Sequence, residues 1–276
     1  MKKIIALIMT MIMMISCFGL VAEARVGDKI GTAYHTDIVA YINNCAIPSY
    51  AVNGQSVIVA EDLRNFGFDV VWNPYNRTLT ISRNGNYYVS PMYVDKSYTS
   101  GAKFTNILET DIRVYAGGRQ LTSYAMNGYT MIPMEELTMF GSVNWVPADR
   151  ALVMTVDGLQ TFFTGKQRVG KKYMPGTTAP DYGWYTQSVC MEWDDDSNGD
   201  SFRVYYSSGT ELQQYIDYIK SLGWRYDVSI PNAEGRWFTG YINKSKRIGI
   251  AVSEAEGIVT VQVKTDLDAW KAAFDG

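Results

Sequence analysis

The stretch that decides the fold is SYAVNGQSVIVAEDLRNFGFDVVWNPYNRTLTI, residues 49–81, because it recurs as SYAMNGYTMIPMEELTMFGSVNWVPADRALVM, residues 123–154. The wider repeat covers Lys29–Ile81 and Lys103–Met154, and the second copy is one residue shorter. Turn glycines, apolar residues and aromatic residues recur. Residues that recur in both copies are those that the fold requires, whereas residues found in one copy alone are not required by it. The sequence therefore indicates much about architecture and little about activity.

Within each copy, apolar residues recur mostly at every second position, a pattern typical of β-strands. Asn53-Gly54 favours a tight hairpin turn, because both central residues of a type I′ turn take positive φ. Further along, Leu63 and Phe66 fall on one face of a short helix, and Gly67 follows as a helix-ending residue. Each copy is therefore predicted to form an antiparallel sheet with one short helix laid over it.

Two tryptophans recur at matching places, Trp72 in the first copy and Trp145 in the second. Recurrence favours a role in the core, where burying a large apolar side chain stabilises a fold by about 1.5–3 kcal/mol. We therefore expect each copy to have a core of its own. The expected core sets are Trp72 with Leu63 and Phe66, and Trp145 with Leu137 and Phe140.

The layout of the repeat resembles the copper amine oxidase N-terminal-like module, also called a stalk domain, which occurs in tandem on many secreted bacterial proteins. The matching features of the first copy are Asn53-Gly54, the segment 58–66, Gly67, Val70-Val71-Trp72 and Thr78-Leu79-Thr80-Ile81. The second copy departs from the pattern at Ser142-Val143-Asn144-Trp145 and Ala151-Leu152-Val153-Met154. The resemblance implies two tandem α+β modules and is almost silent on activity.

The name of the family suggests copper amine oxidase activity, but this chain lacks the histidines that would bind the copper. Such an oxidase holds its copper with several histidines, whereas this chain has one histidine, His35. A lone imidazole also argues against Ser-His-Asp hydrolases and against zinc sites of the Cys/His type. We expect no cofactor, and we assign no catalytic residue.

Acidic residues are the remaining candidates for catalysis. A glycosidase needs only two carboxylates at the right separation, so a cell-wall or polysaccharide hydrolase stays open as an alternative. The pairs Glu61-Asp62 and Glu135-Glu136 recur in the two copies. Neighbouring acids on a short helix point apart, so we expect both pairs to face solvent.

Residues 1–24 are predicted to be a signal peptide. Lys2 and Lys3 precede an apolar run, and Ala22-Glu23-Ala24 forms a cleavage site. A retained membrane anchor is the alternative, because the run approaches the ~20 residues that span a bilayer. We expect a secreted protein, extracellular or associated with the cell wall, with no membrane span after signal removal. The net charge of -3 indicates no nucleic-acid partner.

The rest of the chain divides into four parts by composition and periodicity. They are a stalk-like repeat at 25–83, a second at 84–156, a linker at 157–180 and a C-terminal α+β domain at 181–276. The linker is rich in glycine and basic residues, for which an anionic wall polymer is a possible partner. In the last domain, Ser208 and Glu211 form a capping box before an amphipathic helix. Strands follow, and a second helix is predicted from Leu267 to Phe274.

Aromatic residues of the C-terminal domain are the candidates for ligand binding, because their ring faces can stack on sugars. The candidates are Trp184, Tyr185, Trp237 and Tyr241. Cys45 and Cys190 are the cysteines outside the signal peptide. An oxidising environment permits a disulfide between them, and two unpaired residues are the alternative.

The loop 194–200 has part of the pattern of a calcium loop. Candidate ligands for a weak calcium site are Asp194, Asp196, Asn198 and Asp200. Tyr205 stands where such loops carry a bidentate glutamate, which argues against tight binding. The other interpretation is a polar hairpin loop in which Asn198-Gly199 makes the turn.

The sequence thus favours a non-catalytic protein in which two stalk-like modules present a C-terminal binding domain. The expected partner is a cell-wall polymer, a glycan or an extracellular protein. The alternative, from a different class, is a carboxylate-based hydrolase in the C-terminal domain.

Overall fold

The protein is mainly β, so the α+β prediction is wrong. A computed structural model describes residues 24–231, 235–268 and 270. The short helix predicted in each copy is a 3₁₀ segment of 7 or 4 residues, Ala60–Phe66 and Met134–Leu137. Segments this short do not sustain an α-helix, and strands make up most of each copy. The predicted signal peptide, apart from Ala24, lies outside the described residues.

Each copy of the repeat contributes seven strands in the same order, and a third 3₁₀ segment, Pro147–Asp149, precedes the last of them. The strands are β1 Lys29–Tyr34, β2 Val39–Ile42, β3 Cys45–Ile47, β4 Ser49–Val52, β5 Gln55–Val59, β6 Phe68–Asn73, β7 Thr78–Arg83, β8 Lys103–Leu108, β9 Arg113–Ala116, β10 Arg119–Leu121, β11 Tyr124–Met126, β12 Tyr129–Pro133, β13 Ser142–Val146 and β14 Ala151–Thr155.

Six of these strands close a barrel in the order β1-β4-β5-β12-β11-β8. The copies meet where a strand pairs with its own counterpart, β1 with β8 and β5 with β12, both antiparallel. In the second pair, Ile58 lies opposite Ile132, its equivalent in the other copy. The two copies are therefore related by a pseudo-twofold axis that passes between these isoleucines.

The other eight strands form two sheets, and each sheet takes one hairpin from each copy. Sheet I has the order β10-β9-β7-β6, and sheet II has the order β13-β14-β2-β3. The copies join through parallel pairs, β7 with β9 in sheet I and β14 with β2 in sheet II. The copies are thus interlocked and do not stand one after the other.

One core serves both copies. Leu63 and Phe66 of the first copy pack in the same cluster as Leu137 and Met154 of the second, and all four are fully buried. The barrel interior holds a second, smaller cluster drawn from both copies. The separate core expected for each copy is not formed, because neither copy completes a sheet alone.

Trp72 and Trp145 are not buried in this core. Trp72 is 41% exposed and Trp145 is 46% exposed. Each lies on an edge strand, β6 or β13, with the Arg77 guanidinium 5.9 Å from the Trp72 ring. Recurrence correctly indicated equivalent places in the fold. It did not distinguish the rim of a sheet from its interior.

The segment 157–180, predicted as a linker, packs against the repeat region. The Gln167 side chain is 1% exposed, accepts from the Ala46 amide at 3.0 Å and donates to the Met92 carbonyl at 2.7 Å. Val94 and Val169 cover the outer face of sheet II. This segment is therefore part of the folded body.

Two basic residues of this segment form ion pairs. Lys166 pairs with Asp149, and Arg168 pairs with Asp195 of the C-terminal domain. Lys171 and Lys172 are exposed, and binding of an anionic wall polymer by this segment stays a prediction.

The C-terminal domain has a six-stranded antiparallel sheet in the order β15-β16-β20-β19-β18-β17, and two of its helices lie wholly within the described residues. The strands are β15 Cys190–Asp195, β16 Ser201–Tyr206, β17 Arg225–Pro231, β18 Trp237–Asn243, β19 Ile248–Ala255 and β20 Ile258–Lys264. The helices are α1 Tyr182–Thr186 and α2 Gly209–Ser221. The capping box of Ser208 and Glu211 at the start of α2 is confirmed.

The two faces of this sheet are covered differently. Tyr215 and Ile219 of α2 pack on one face. On the other face the Trp270 indole lies so close to the backbone that a Cβ at Gly249 would be 2.3 Å from the ring. Glycine is therefore required there. Most of the helix predicted from Leu267 to Phe274 lies outside the described residues.

The two cysteines are free and buried. Cys45 lies in the core of the repeat region and Cys190 in that of the C-terminal domain. Burial raises the pKa of the Cys190 thiol to about 12. The disulfide considered above is not formed, because the fold places the two residues in different cores.

Candidate binding groove

A groove of about 300 Å³ opens beside the barrel, and three parts of the fold build its walls. Barrel strands supply Tyr50 and Phe104, and His35 follows directly after β1. The segment that joins the two copies supplies Lys96 and Tyr98. The C-terminal domain reaches the groove through Gln187, at the end of α1.

Four rings form a stacked array in this groove. The His35 imidazole stacks on Tyr98 with ring centroids 4.1 Å apart, and Tyr50 stacks on Phe104 at 4.3 Å. An edge contact of 5.0 Å between His35 and Phe104 joins the two pairs. Such contacts stabilise by about 0.5–1.5 kcal/mol each beyond the area they bury. The rings hold one another in place, and Tyr98, 58% exposed, faces solvent.

A buried lysine lies in the wall of the groove. The Lys96 ammonium donates to the Thr36 carbonyl at 3.1 Å and to the carbonyl and hydroxyl oxygens of Ser49, both at 3.3 Å. An ammonium has three protons, so these contacts use them all. Burial lowers the pKa of Lys96 to about 8. Its contacts indicate that it holds the joining segment on the barrel.

The charge on His35 is controlled by its neighbours. Burial lowers the pKa of His35, the positive charge of Lys96 lowers it further, and Asp95 acts in the opposite direction. The imidazole is therefore neutral at pH 7. A neutral ring can stack without the cost of desolvating a charge.

The equivalent place on the second copy is chemically different. Glu109 stands at the position of His35, and Ile30 stands at the position of Phe104. Sequence reasoning missed the groove because it treated His35 as an isolated histidine. The mismatch between His35 and Glu109 is the signal that could have drawn attention to this place, since the fold shared by the two copies does not require a histidine there.

The four aromatic residues predicted to bind a ligand are not brought together. The Trp184 indole donates to the Ser97 hydroxyl at 3.1 Å, so it holds the loop that carries Tyr98. Tyr185 stacks on Tyr218 at 4.5 Å, and Tyr241 is 5% exposed in the core. Trp237, 62% exposed, lies on β18. Trp184 therefore contacts the loop beside the groove and is not among the residues that line it.

The loop predicted as a weak calcium site is a hairpin between β15 and β16, in which Asp195 pairs with Ser201. Asp196 accepts from the amides of Asn198 and Asp200, both at 2.9 Å. The Asp200 carboxylate lies 3.2 Å from the Lys264 ammonium. Within the described ranges, no three acidic, histidine or cysteine residues are grouped as a metal site. Calcium binding at Asp194, Asp196, Asn198 and Asp200 stays a prediction.

Two of the recurring acids do not face solvent freely. The Glu135 carboxylate accepts from the Ser56 amide at 3.0 Å, and the Glu61 carboxylate accepts from the Thr130 amide at 3.4 Å. Each bond crosses from one copy to the other. The recurrence of these acids is therefore explained by the interlocking of the copies.

Comparison with known proteins found no relative. The chain matches no protein-family model, and it is similar to no curated protein and to no solved structure. Of the helices in the described ranges, none is long and apolar enough to cross a membrane. The resemblance to the stalk-domain family stays a prediction.

Proposed function

We propose that the protein is a non-catalytic binding protein, secreted or bound to the cell wall, that holds a polysaccharide chain in the aromatic groove. The observation that carries the proposal is the stacked ring array with Tyr98 at its exposed end. Sugar rings present C–H faces that pack on aromatic rings. Asp95 and Gln187 line the same groove and offer hydrogen-bonding groups to hydroxyls. Secretion rests on the N-terminal sequence pattern.

The contacts of the reactive side chains favour binding over hydrolysis. Lys96 uses its protons on backbone and hydroxyl oxygens, so it is not presented as a nucleophile. Glu61 and Glu135 hold backbone amides, which makes them structural acceptors. Asp95 is the one carboxylate among the described residues that line the groove, whereas a glycosidase needs two, so we do not carry the alternative of a carboxylate hydrolase further.

Isothermal titration with an N-acetylglucosamine tetramer tests the proposal. Tyr98→Ala removes the exposed ring and should weaken binding about tenfold, which corresponds to about 1.4 kcal/mol. Tyr75→Ala is the matched control, because Tyr75 is 98% exposed in the β6–β7 turn and does not line the groove.

Two results would contradict the proposal. Equal affinity of the Tyr98→Ala variant and the parent protein would show that the ring array is not the site. Shorter oligosaccharides, detected by chromatography after long incubation with the parent protein, would show that the protein cleaves its ligand.

A further inference from the structure

A second surface lies along the outer edge of β15, which is an edge strand of the six-stranded sheet. Among the strands of the described ranges, β15 pairs with β16 alone, so one side of its backbone has no partner strand there. Among the described residues, no backbone-to-backbone hydrogen bond from outside the sheet reaches Met191, Glu192 or Trp193. Unpaired edge groups are a template for another strand.

An aromatic cleft of about 440 Å³ runs beside this edge. Phe162 is 53% exposed on its wall, and Phe163 is buried with its ring 6.1 Å from Trp193. Arg168 lies near the cleft, where it pairs with Asp195 and lies 5.8 Å from the Trp193 ring. The volume is within the range of about 300–1,000 Å³ typical of ligand sites.

The two faces of β15 differ in chemistry. Trp193 lies opposite the buried Arg203 and faces inward with it. Glu192 and Asp194 occupy the alternate positions and are exposed. Neither carboxylate has a hydrogen bond or an ion pair with a described residue. The edge therefore presents Glu192 and Asp194 on one face of the strand and Trp193 on the other, and Glu192 also borders the aromatic cleft.

We propose that an extended segment of another protein, with basic and apolar residues in alternation, adds to the β15 edge as a strand. Side chains directly opposite in paired strands share a face. The basic residues of the segment lie beside Glu192 and Asp194, and its apolar residues enter the cleft beside Phe162 and Trp193. A second copy of β15 would set acids against acids, which disfavours self-pairing.

The test uses the full chain and a fluorescein-labelled octapeptide of alternating lysine and valine, measured by fluorescence anisotropy. The lysine–valine peptide should bind, and a glutamate–valine peptide should bind at least tenfold more weakly. The lysine–valine peptide with every second backbone nitrogen methylated should also lose at least tenfold, because strand addition needs its N–H groups.

Variants of the chain test the two faces separately. Phe162→Ala should weaken peptide binding about tenfold, and Tyr75→Ala is the exposed aromatic control. Glu192→Gln with Asp194→Asn should weaken binding and reduce its dependence on salt. Asp69→Asn with Asp157→Asn, two exposed acids elsewhere, is the control for the change in net charge.

The proposal is overturned if the lysine–valine peptide does not bind, if methylation leaves its affinity unchanged, or if Phe162→Ala has no effect. A dimer of the parent protein that the peptide dissociates, seen by sedimentation, would make a second copy the occupant and would also overturn it. None of these outcomes depends on the aromatic groove, since Phe162 and Tyr98 line different sites.

Discussion

At the scale of single residues, Glu61 and Glu135 connect the two copies by hydrogen bonds that cross between them. Each carboxylate starts from a 3₁₀ segment of one copy and accepts from a barrel strand of the other. Hydrogen bonds to charged groups stabilise a fold by about 1.5–3 kcal/mol. The bond to Glu135 is the shorter, at 3.0 Å against 3.4 Å for Glu61, but the second oxygen of Glu135 is buried with no partner among the described residues.

We expect Glu135→Ala to lower the free energy of unfolding by about 1–3 kcal/mol, because it leaves the Ser56 amide without its acceptor. Glu135→Gln keeps an oxygen in place and should lose less. Urea denaturation checks both values, with Asp69→Ala as the exposed control. Equal stability of Glu135→Ala and the parent protein would mean that water replaces the carboxylate at no cost.

The single histidine makes the electrostatics of the groove measurable. Proton NMR of His35 should give a pKa below the usual 6.5. Lys96→Met should raise this pKa, because a positive charge is removed, and Asp95→Asn should lower it. Shifts in the same direction for both variants would contradict the account.

The lowered pKa of His35 also determines how its contribution to the stability of the fold depends on pH. A lowered pKa in the folded state means that the unfolded chain binds the proton more readily. The contribution of His35 to stability is therefore present above pH 6.5 and is lost as the pH falls through the pKa of the folded protein. The free energy of unfolding of the parent protein and of His35→Gln, measured by urea denaturation between pH 5 and 8, checks this pH dependence. The variant should lack it.

At the scale of elements, the two sheets differ on their outer faces. Outward positions of sheet II are apolar and covered, and they are Val39, Tyr41, Ala46 and Val153. The equivalent positions of sheet I are Arg113, Tyr115, Gln120 and Thr80. Apolar area at one sheet and polar area at the other explain why the segments with Val94 and Val169 lie over sheet II alone.

The contribution of an aromatic residue to stability depends on whether its place in the element is buried or exposed. Phe66→Ala should cost about 3–5 kcal/mol, because Phe66 is fully buried in the shared core. Trp72→Ala should cost only about 1–2 kcal/mol, because Trp72 is 41% exposed at the rim. Thermal denaturation of both variants checks the order. A larger loss for Trp72→Ala would show that the edge strand β6 depends on its indole.

At the scale of the whole molecule, the repeat region is a single folding unit, because the two copies exchange hairpins between their sheets. The pairs Asp37 with Arg150 and Arg77 with Asp111 are equivalent under the pseudo-twofold axis, both with contacts of 2.6 Å, and both cross between the copies. They are exposed, so screening by solvent leaves them little effect on stability. These ion pairs favour the correct alignment of the two copies, and the parallel strand pairs β7 with β9 and β14 with β2 then stabilise that alignment.

We expect a fragment of residues 25–83 to stay unfolded, because four of its seven strands would each lose a partner from the second copy. A fragment of residues 25–180 should fold, since it contains both copies and the segments that cover sheet II. Circular dichroism and NMR of the two fragments check this. A dispersed spectrum from residues 25–83 would show that a copy is autonomous after all.

The sequence by itself determined the local elements. The turn at Asn53-Gly54, the end of the 3₁₀ segment at Gly67 and the capping box at Ser208 all depend on residues that are neighbours in the chain. Alternation likewise placed strands such as Ser201–Tyr206. Turn chemistry, capping and periodicity act over a few residues, so one sequence is sufficient to predict them.

Only the tertiary structure decided which strands pair and where the groove lies. The exchange of hairpins joins residues far apart in the chain, and no local pattern separates pairing within a copy from pairing between copies. The groove depends on Tyr98 stacking on His35 and on Lys96 reaching Ser49. Such contacts follow from the packing of whole elements, because burial and proximity are properties of the assembled fold.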